Sequence, residues 1–234
     1  TYDAASGEYV ASVTVKNESG MPGKHVVHLY AQTPYGDYER ANLVEKSAIQ
    51  LAGFAKTGEL AEGESETVEV RVDEYLLASY DYTNLKGYYL SGGDYYFAIG
   101  DNVHDALNNV LAAKAAAGVQ VNAAAMTAPG DAAAARALPR EEDKETFLTS
   151  RQTGNRVTNL FDDADINYWV EDAVTYLTRQ NWKDTYPTAT TTVAATEAML
   201  KELDGYTYEK PDDAPGVHDF TLGEDAGIRF VDMY

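Results

Sequence analysis

Residues 63–72, GESETVEVRV, change character at every step: Thr67, Glu69 and Arg71 interleave with Val68, Val70 and Val72. Successive side chains of an extended chain point to opposite faces, so this pattern specifies a β-strand with one buried and one wet face. A helix would turn Val70 away from Val68 and Val72. The same signature recurs upstream. EYVASVTVKN, residues 8–17, sets Tyr9, Ala11, Val13 and Val15 against Val10, Ser12, Thr14 and Lys16. GKHVVHLYAQTPYG, 23–36, follows the turn-rich ESGMPGK and places apolar Val26, Val27, Leu29 and Ala31 around His25, His28 and Tyr30. It then runs into a Pro/Gly turn. SAIQLAGF is a third candidate strand. GYYLSGGDYYFAIG, 87–100, reads as two aromatic strands joined through Ser91-Gly92-Gly93-Asp94 in a hairpin. Short strands and turns over residues 8–100 predict a mainly β chain folded as a β-sandwich.

Beyond residue 100 the pattern changes. DNVHDALNNVLAAKAAAG spaces Val103, Leu107, Val110 and Leu111 as on a helix, with Asp101 or Asn102 as cap and Gly118 as stop. Residues 119–140 are Ala-rich around Pro129-Gly130 and read as an exposed connector, or as a spacer packed on another domain. INYWVEDAVTYLTRQ puts Ile166, Trp169, Val170, Ala173, Val174 and Leu177 on one helical stripe. TTTVAATEAMLKELDG predicts another helix, capped by Thr191 or Thr192 and stopped by Gly205. YTYEKPDDAPGVHDF is a Pro-rich loop, and GIRFVDMY resembles the start of a strand. The expected organisation is a sandwich over 1–100, a helix and Ala-rich connector over 101–140, and a smaller, partly helical segment over 141–234.

Thirty-eight acidic against 18 basic residues give a formal charge of −20, a surface that repels phosphate backbones and anionic membranes. Neither nucleic acid nor membrane is an expected partner; neutral sugars are compatible with it. No apolar run approaches the roughly 18 residues that cross a bilayer. TYDAASGEYV has no basic or apolar region of a signal peptide, so the expected location is cytoplasmic. The absence of cysteine removes disulfides, thiolate metal sites and a Cys nucleophile.

Two histidines three apart on a strand, His25 and His28, point to opposite faces and cannot share one metal ion. His104 at a helix start and His218 in a loop lack partners at ligand spacing. DDADIN imitates a calcium loop through Asp163, Asp165 and Asn167, but Tyr168 and Val174 stand where the turn Gly and the bidentate Glu belong. An acidic helix start explains it better. Motifs of serine hydrolases, zincins, P-loops and dinucleotide folds are missing. No catalytic, cofactor-binding or metal residue is assigned, and no cofactor is expected.

Read together, VTVKNESGMPGKHVVHLYAQTP, LAGFAKTGELAEGESETVEVRV, LASYD and GGDYYFAIGDN resemble the fibronectin type III-like domain of glycoside hydrolase family 3, the β-glucosidase family. Residues 13–34, 51–72 and 87–100 carry the likeness, and YGDYERANLVEKS, 35–47, departs from it. GNRVTNLFDDADINYWVEDAVTYLTRQNWKDTYP resembles the segment before the (β/α)8 barrel in family members of permuted domain order. The resemblance implies an immunoglobulin/fibronectin type III-like sandwich and a parent enzyme that is a retaining glycosidase. Its nucleophilic Asp and its acid/base, often a Glu, lie in domains outside residues 1–234. This chain is then an inactive structural fragment whose partners are the catalytic domains of the same parent, and β-glucosides or oligosaccharides only through that parent. Some of Trp169, Trp182, Tyr176 and Tyr186 are expected to bury against the barrel. The alternative is a stand-alone carbohydrate-binding or Ig-like module using an exposed row of Tyr88, Tyr89, Tyr95 and Tyr96.

Overall fold

The computed structural model describes residues 1–176, 178 and 193–205. Two compact units are present, Thr1–Phe161 with Tyr176–Pro187, and Asp162–Thr175 with Thr188–Tyr234. In the first, strands β1 (Tyr2–Asp3), β2 (Glu8–Lys16) and β3 (Val26–Gln32) precede the short helix α1 (Asp37–Ala41). Strands β4 (Gln50–Lys56), β5 (Ser65–Asp73), β6 (Ser79–Asp81), β7 (Gly87–Tyr89) and β8 (Gly93–Ile99) follow, then helix α2 (Val103–Ala116) and strand β9 (Ala135–Arg140). Two antiparallel sheets, β1-β2-β5 and β4-β3-β8-β9, face each other, and β6-β7 form a small third. The sandwich is the one that the alternating patterns predict.

The core follows the same alternation. Val68, Val70 and Val72 point inward from β5, Tyr9 from β2, Val27, Leu29 and Ala31 from β3, and Tyr95 and Phe97 from β8. Tyr9 stacks between Tyr95 and Phe97, with ring centroids 6.2 and 4.6 Å away. Offset aromatic contacts of this kind add to the burial of area itself. Where β4 passes β5, a Cβ on Gly53 would lie 2.9 Å from a methyl of Val70 and 3.3 Å from the Arg71 carbonyl. Glycine lets the two sheets close on that side.

Several expectations are corrected. The sandwich does not end at residue 100, because β9 pairs with β8 over Ala135–Arg140. Residues 119–134 are therefore no free connector; with α2 they form an insert between two neighbouring strands. The insert covers the outer face of the four-stranded sheet, where Ala106 and Val110 of α2 bury Tyr30, Tyr96, Ala98 and Ala135. Strands β3 and β8 are thus buried on both faces, which explains the unbroken apolar run Tyr95–Ile99. Full burial of one Val such as Val110 contributes about 1.5–3 kcal/mol. The helix buries Ala106 and Val110, leaving Val103 exposed, so the predicted stripe is rotated.

Next, Gly87–Tyr89 and Gly93–Ile99 do not form a hairpin: β7 pairs with β6, and β8 pairs with β3 and β9. Leu90 instead bridges Asp143, which turns the chain from one sheet to another. The helix expected along INYWVEDAVTYLTRQ shortens to α3 (Ile166–Trp169), capped by Asp165. Helix α4 (Glu197–Asp204) begins at Thr196 and stops at Gly205; Thr191 and Thr192 lie outside the described residues. So do Leu177, Trp182, Tyr186, His218, the Pro-rich loop and GIRFVDMY. No helix among the described residues is long and apolar enough to cross a membrane.

Side chains of two adjacent asparagines hold the insert. Asn108 donates to Thr127 Oγ1 and accepts from its amide, both at 3.1 Å. Asn109 donates to the Ile99 carbonyl at 2.8 Å and accepts from the Asp131 amide at 2.7 Å. Gly130 lies so close to α2 that a Cβ would stand 2.0 Å from the Asn108 carbonyl oxygen. Gly130→Ala is expected to destabilise the protein by about 1–3 kcal/mol in urea denaturation; an unchanged midpoint would mean that residues 119–134 do not dock.

Candidate functional site

The densest polar constellation is built by the stretch that departs from the family resemblance. Pro34 ends β3 and Gly36 opens α1. Glu39, at the third helical position, accepts the Gly36 amide through Oε2 at 2.6 Å. Its other oxygen accepts from Ser91 Oγ at 2.5 Å, Tyr89 OH at 2.9 Å and Lys46 Nζ at 3.1 Å. Lys46 also donates to the Pro34 carbonyl at 2.9 Å and to Ser91 Oγ, and lies 5.4 Å from the centre of the Tyr89 ring. The Glu39 and Lys46 side chains are 4% and 5% exposed.

A serine beside a buried lysine is the geometry of a nucleophile with its base. Here the roles do not fit. Ser91 donates to Glu39, and Lys46 spends its protons on Glu39, Ser91 and a carbonyl. Burial alone would raise the Glu39 carboxyl, but the bonds from Ser91, the Gly36 amide and Lys46 outweigh it and hold the pKa at about 2. Burial pushes the Lys46 ammonium down against the pull of Glu39. The group is a closed clasp pinning residues 33–49 to the start of β8.

Two further clasps work alike. Tyr38 donates to Asp81 at 2.6 Å, and Asp81, fully buried, also accepts the Thr83 and Asn84 amides. Burial and that bond raise the Tyr38 phenol to about 12. Glu74 pairs with Arg140 of β9 and accepts from Tyr2 at 2.8 Å, while the guanidinium lies 4.0 Å from the Tyr2 ring centre. That cluster ties β1 to the far sheet.

The sandwich is open on the side opposite Gly53. A groove of roughly 620 Å³ runs between β2 and β9, lined by Ala11, Val13, Leu29, Phe97, Ile99 and Leu138.

His25 is exposed, and His28 is half-buried with its ring 6.4 Å from that of Tyr30. Among the described residues, no group of three or more His, Asp or Glu side chains is arranged to hold a metal ion. Asp165 accepts the Asn167 amide at 2.8 Å, as a helix start does. The exposed tyrosine row does not exist: Tyr89, Tyr95 and Tyr96 are buried, and only Tyr88 is half-exposed. Tyr176 is 45% exposed and Trp169 is half-buried. Sequence reasoning missed Glu39, Lys46 and Ser91; the available signal was a departing segment with both charges seven apart.

Lys46→Met leaves Glu39 charged and enclosed without its cation, and is expected to cost about 3–5 kcal/mol in urea denaturation. Glu39→Gln with Lys46→Met should be more stable than Lys46→Met alone. Because the folded carboxyl ionises below its ordinary 4.5, the Glu39 contribution is whole above that pH and is lost as pH falls towards about 2. The double variant should lose this part of the acid limb. A Lys46→Met protein as stable as the parent would contradict the clasp.

Residues 25–103 match the family model described as a fibronectin type III-like domain. β-Glucosidase A of Butyrivibrio fibrisolvens is 39% identical over 99 residues, 41% of this chain and 11% of that protein. The β-glucosidase of Ruminococcus albus is 34% identical over 101 residues, 42% of this chain and 10% of its own length. A crystal structure of a β-glucosidase from Paenibacillus barengoltzii aligns at 30% identity and a TM-score of 0.39, covering 44% of this chain and 11% of that one. The chain spans about a tenth of the length of the curated relatives it matches. It carries a fibronectin type III-like domain and, over that domain, is similar to β-glucosidases.

Proposed function

We propose that this chain is a non-catalytic structural part of a β-glucosidase-like glycoside hydrolase, and that it holds the catalytic domains of the parent polypeptide in register. The likeness to β-glucosidases over the sandwich carries this reading. The use of the buried polar groups supports it. Glu39, Asp81 and Glu74, the buried carboxylates of the sandwich, are each committed to bonds that fix a loop or strand. Retaining hydrolysis needs two carboxyl groups about 5 Å apart across a sugar, and on this reading other domains supply them. β-Glucosides or oligosaccharides then meet the parent enzyme, while this part meets protein.

A stiff spacer suits that task, since displacing reacting groups by about 1 Å can cost 10²-fold in rate. The Glu74–Arg140 pair links the end of β5 to β9 of the facing sheet and so resists shear between the two, while the clasps at Glu39 and Asp81 hold the segment around α1.

The isolated chain should not hydrolyse an aryl β-glucoside above the buffer rate, and calorimetric titration with glucose or cellobiose should give no heat of binding at millimolar sugar. Turnover abolished by a point variant would overturn the proposal. Millimolar or tighter sugar binding would move the assignment to a carbohydrate-binding module.

A further inference from the structure

We propose that the uncovered half of the outer face of the four-stranded sheet, around Leu51 and Phe54, seats an amphipathic helix with acidic flanks from a neighbouring domain of the parent polypeptide. The inference rests on the reading of the chain as part of a longer polypeptide. It adds which face docks and what chemistry meets it.

A bulge in β4 builds the face. Leu29 pairs with Gly53 but Tyr30 pairs with Leu51, so Ala52 is an extra residue. On a regular strand, residues three apart point to opposite faces. The extra residue brings Leu51 and Phe54 to one side, with Phe54 opposite His28 and Leu51 opposite Tyr30. Val27, Leu29 and Ala31 point into the core, so His28 and Tyr30 point outward. Tyr30 is covered by α2, whereas Leu51 and Phe54 are 52% and 69% exposed.

The open strip has the width of a helix. Helix α2 packs on β8 and β9 and reaches β3. Strands lie about 4.8 Å apart and a helix is about 10 Å across. The part of the sheet left over β3 and β4 is therefore about one helix wide, a second seat beside α2. An added strand would pair along an edge, but these side chains stand on the face.

Charge selects the flanks of that helix. Neither β3 nor β4 carries an Asp or Glu, in a chain that has 38. Lys56, exposed, stands two residues beyond Phe54 and opposite Val26 on the same face. Lys114 of α2, bonded to the Gln32 side chain, stands at the other end of the strip. Asp101 and Asp105 share a hollow with His28 on the β8 side, away from β4. The fitting helix has an apolar stripe over Leu51 and Phe54 and carboxylates toward Lys56. Exposed pairs of this kind add little affinity but set partner and orientation.

Area selects the source. One Phe, one Leu and one His ring fall far short of the roughly 800 Å² per partner that stable separate complexes bury. Covalent connection supplies a local concentration of about millimolar, at which so small a contact still closes. The same small area, with a formal charge of −20 on each copy, does not suit a dimer.

The test compares the isolated chain with the parent polypeptide, whose hydrolysis of an aryl β-glucoside is measured alongside. Hydroxyl-radical labelling of Phe54 and Leu51 should be strong in the chain and largely lost in the parent. Phe54→Asp should shift the melting midpoint of the isolated chain by less than about 2 °C, yet split the parent's melting into separate transitions. Lys56→Glu should weaken the same coupling, and Thr14→Asp on the outer face of β2 should leave it intact. An active parent in which Phe54 labels as strongly as in the chain, or in which Phe54→Asp and Thr14→Asp act alike, would overturn the docking and leave the structural reading standing. Protection of Phe54 that appears in the isolated chain with dimer formation would overturn it too. A parent without glucoside hydrolysis would overturn both.

Discussion

Glu39 and Lys46 are enclosed by the sandwich as charges, and an enclosed charge without a partner costs several kcal/mol. That penalty leaves residues 33–49 little choice of position. The loop must bring Lys46 back under α1, and Ser91 and Tyr89 must sit where β7 gives way to β8 to complete the shell around the carboxylate. Val44 is then drawn into the interior, with its amide on the Glu39 carbonyl at 2.9 Å. The interruption of the aromatic hairpin at Leu90 and Ser91 follows from the same demand. The pair need not raise stability over an apolar filling, since desolvation offsets much of the attraction; what it sets is one arrangement of the loop.

The two sides of the sandwich are finished differently. At β4 and β5 a glycine, Gly53, lets the sheets approach until Val70 and the Arg71 backbone leave no space for a side chain. At β2 and β9 the sheets part, and aromatic and aliphatic core groups line an open groove. The Glu74–Arg140 pair spans that open side near Tyr2 and fixes its width at one end.

The sandwich was legible because its strands obey a period of two. Val68, Val70 and Val72 could face inward only on a strand, and they do. The resemblance gave the domain but stopped short of β9, since the insert over residues 100–134 separates that strand from β8 and its alanines carry no period. Ala-rich sequence reads as a spacer until a sheet face is there for Ala106 and Ala135 to cover. The clasps were illegible for a different reason. Glu39, Lys46 and Ser91 look like surface residues in any local window, and only tertiary enclosure by Tyr89 and Pro34 makes them an interior group. The stripe Ile166–Leu177 shows the reverse error: helical spacing was present, but among its described residues only Ile166–Trp169 is helical, and Asp172 sits at φ 56°, which interrupts the pattern.

The buried pair makes residues 33–49 as rigid as the core. Native-state hydrogen exchange tests it most directly. The Gly36 amide, bonded to Glu39 Oε2, and the Val44 amide, bonded to the Glu39 carbonyl, should exchange only through global unfolding, with the same opening free energy as Val70 in β5. Exchange of either amide orders of magnitude faster than Val70 would contradict the account, because the loop would then open on its own while the sandwich stayed folded.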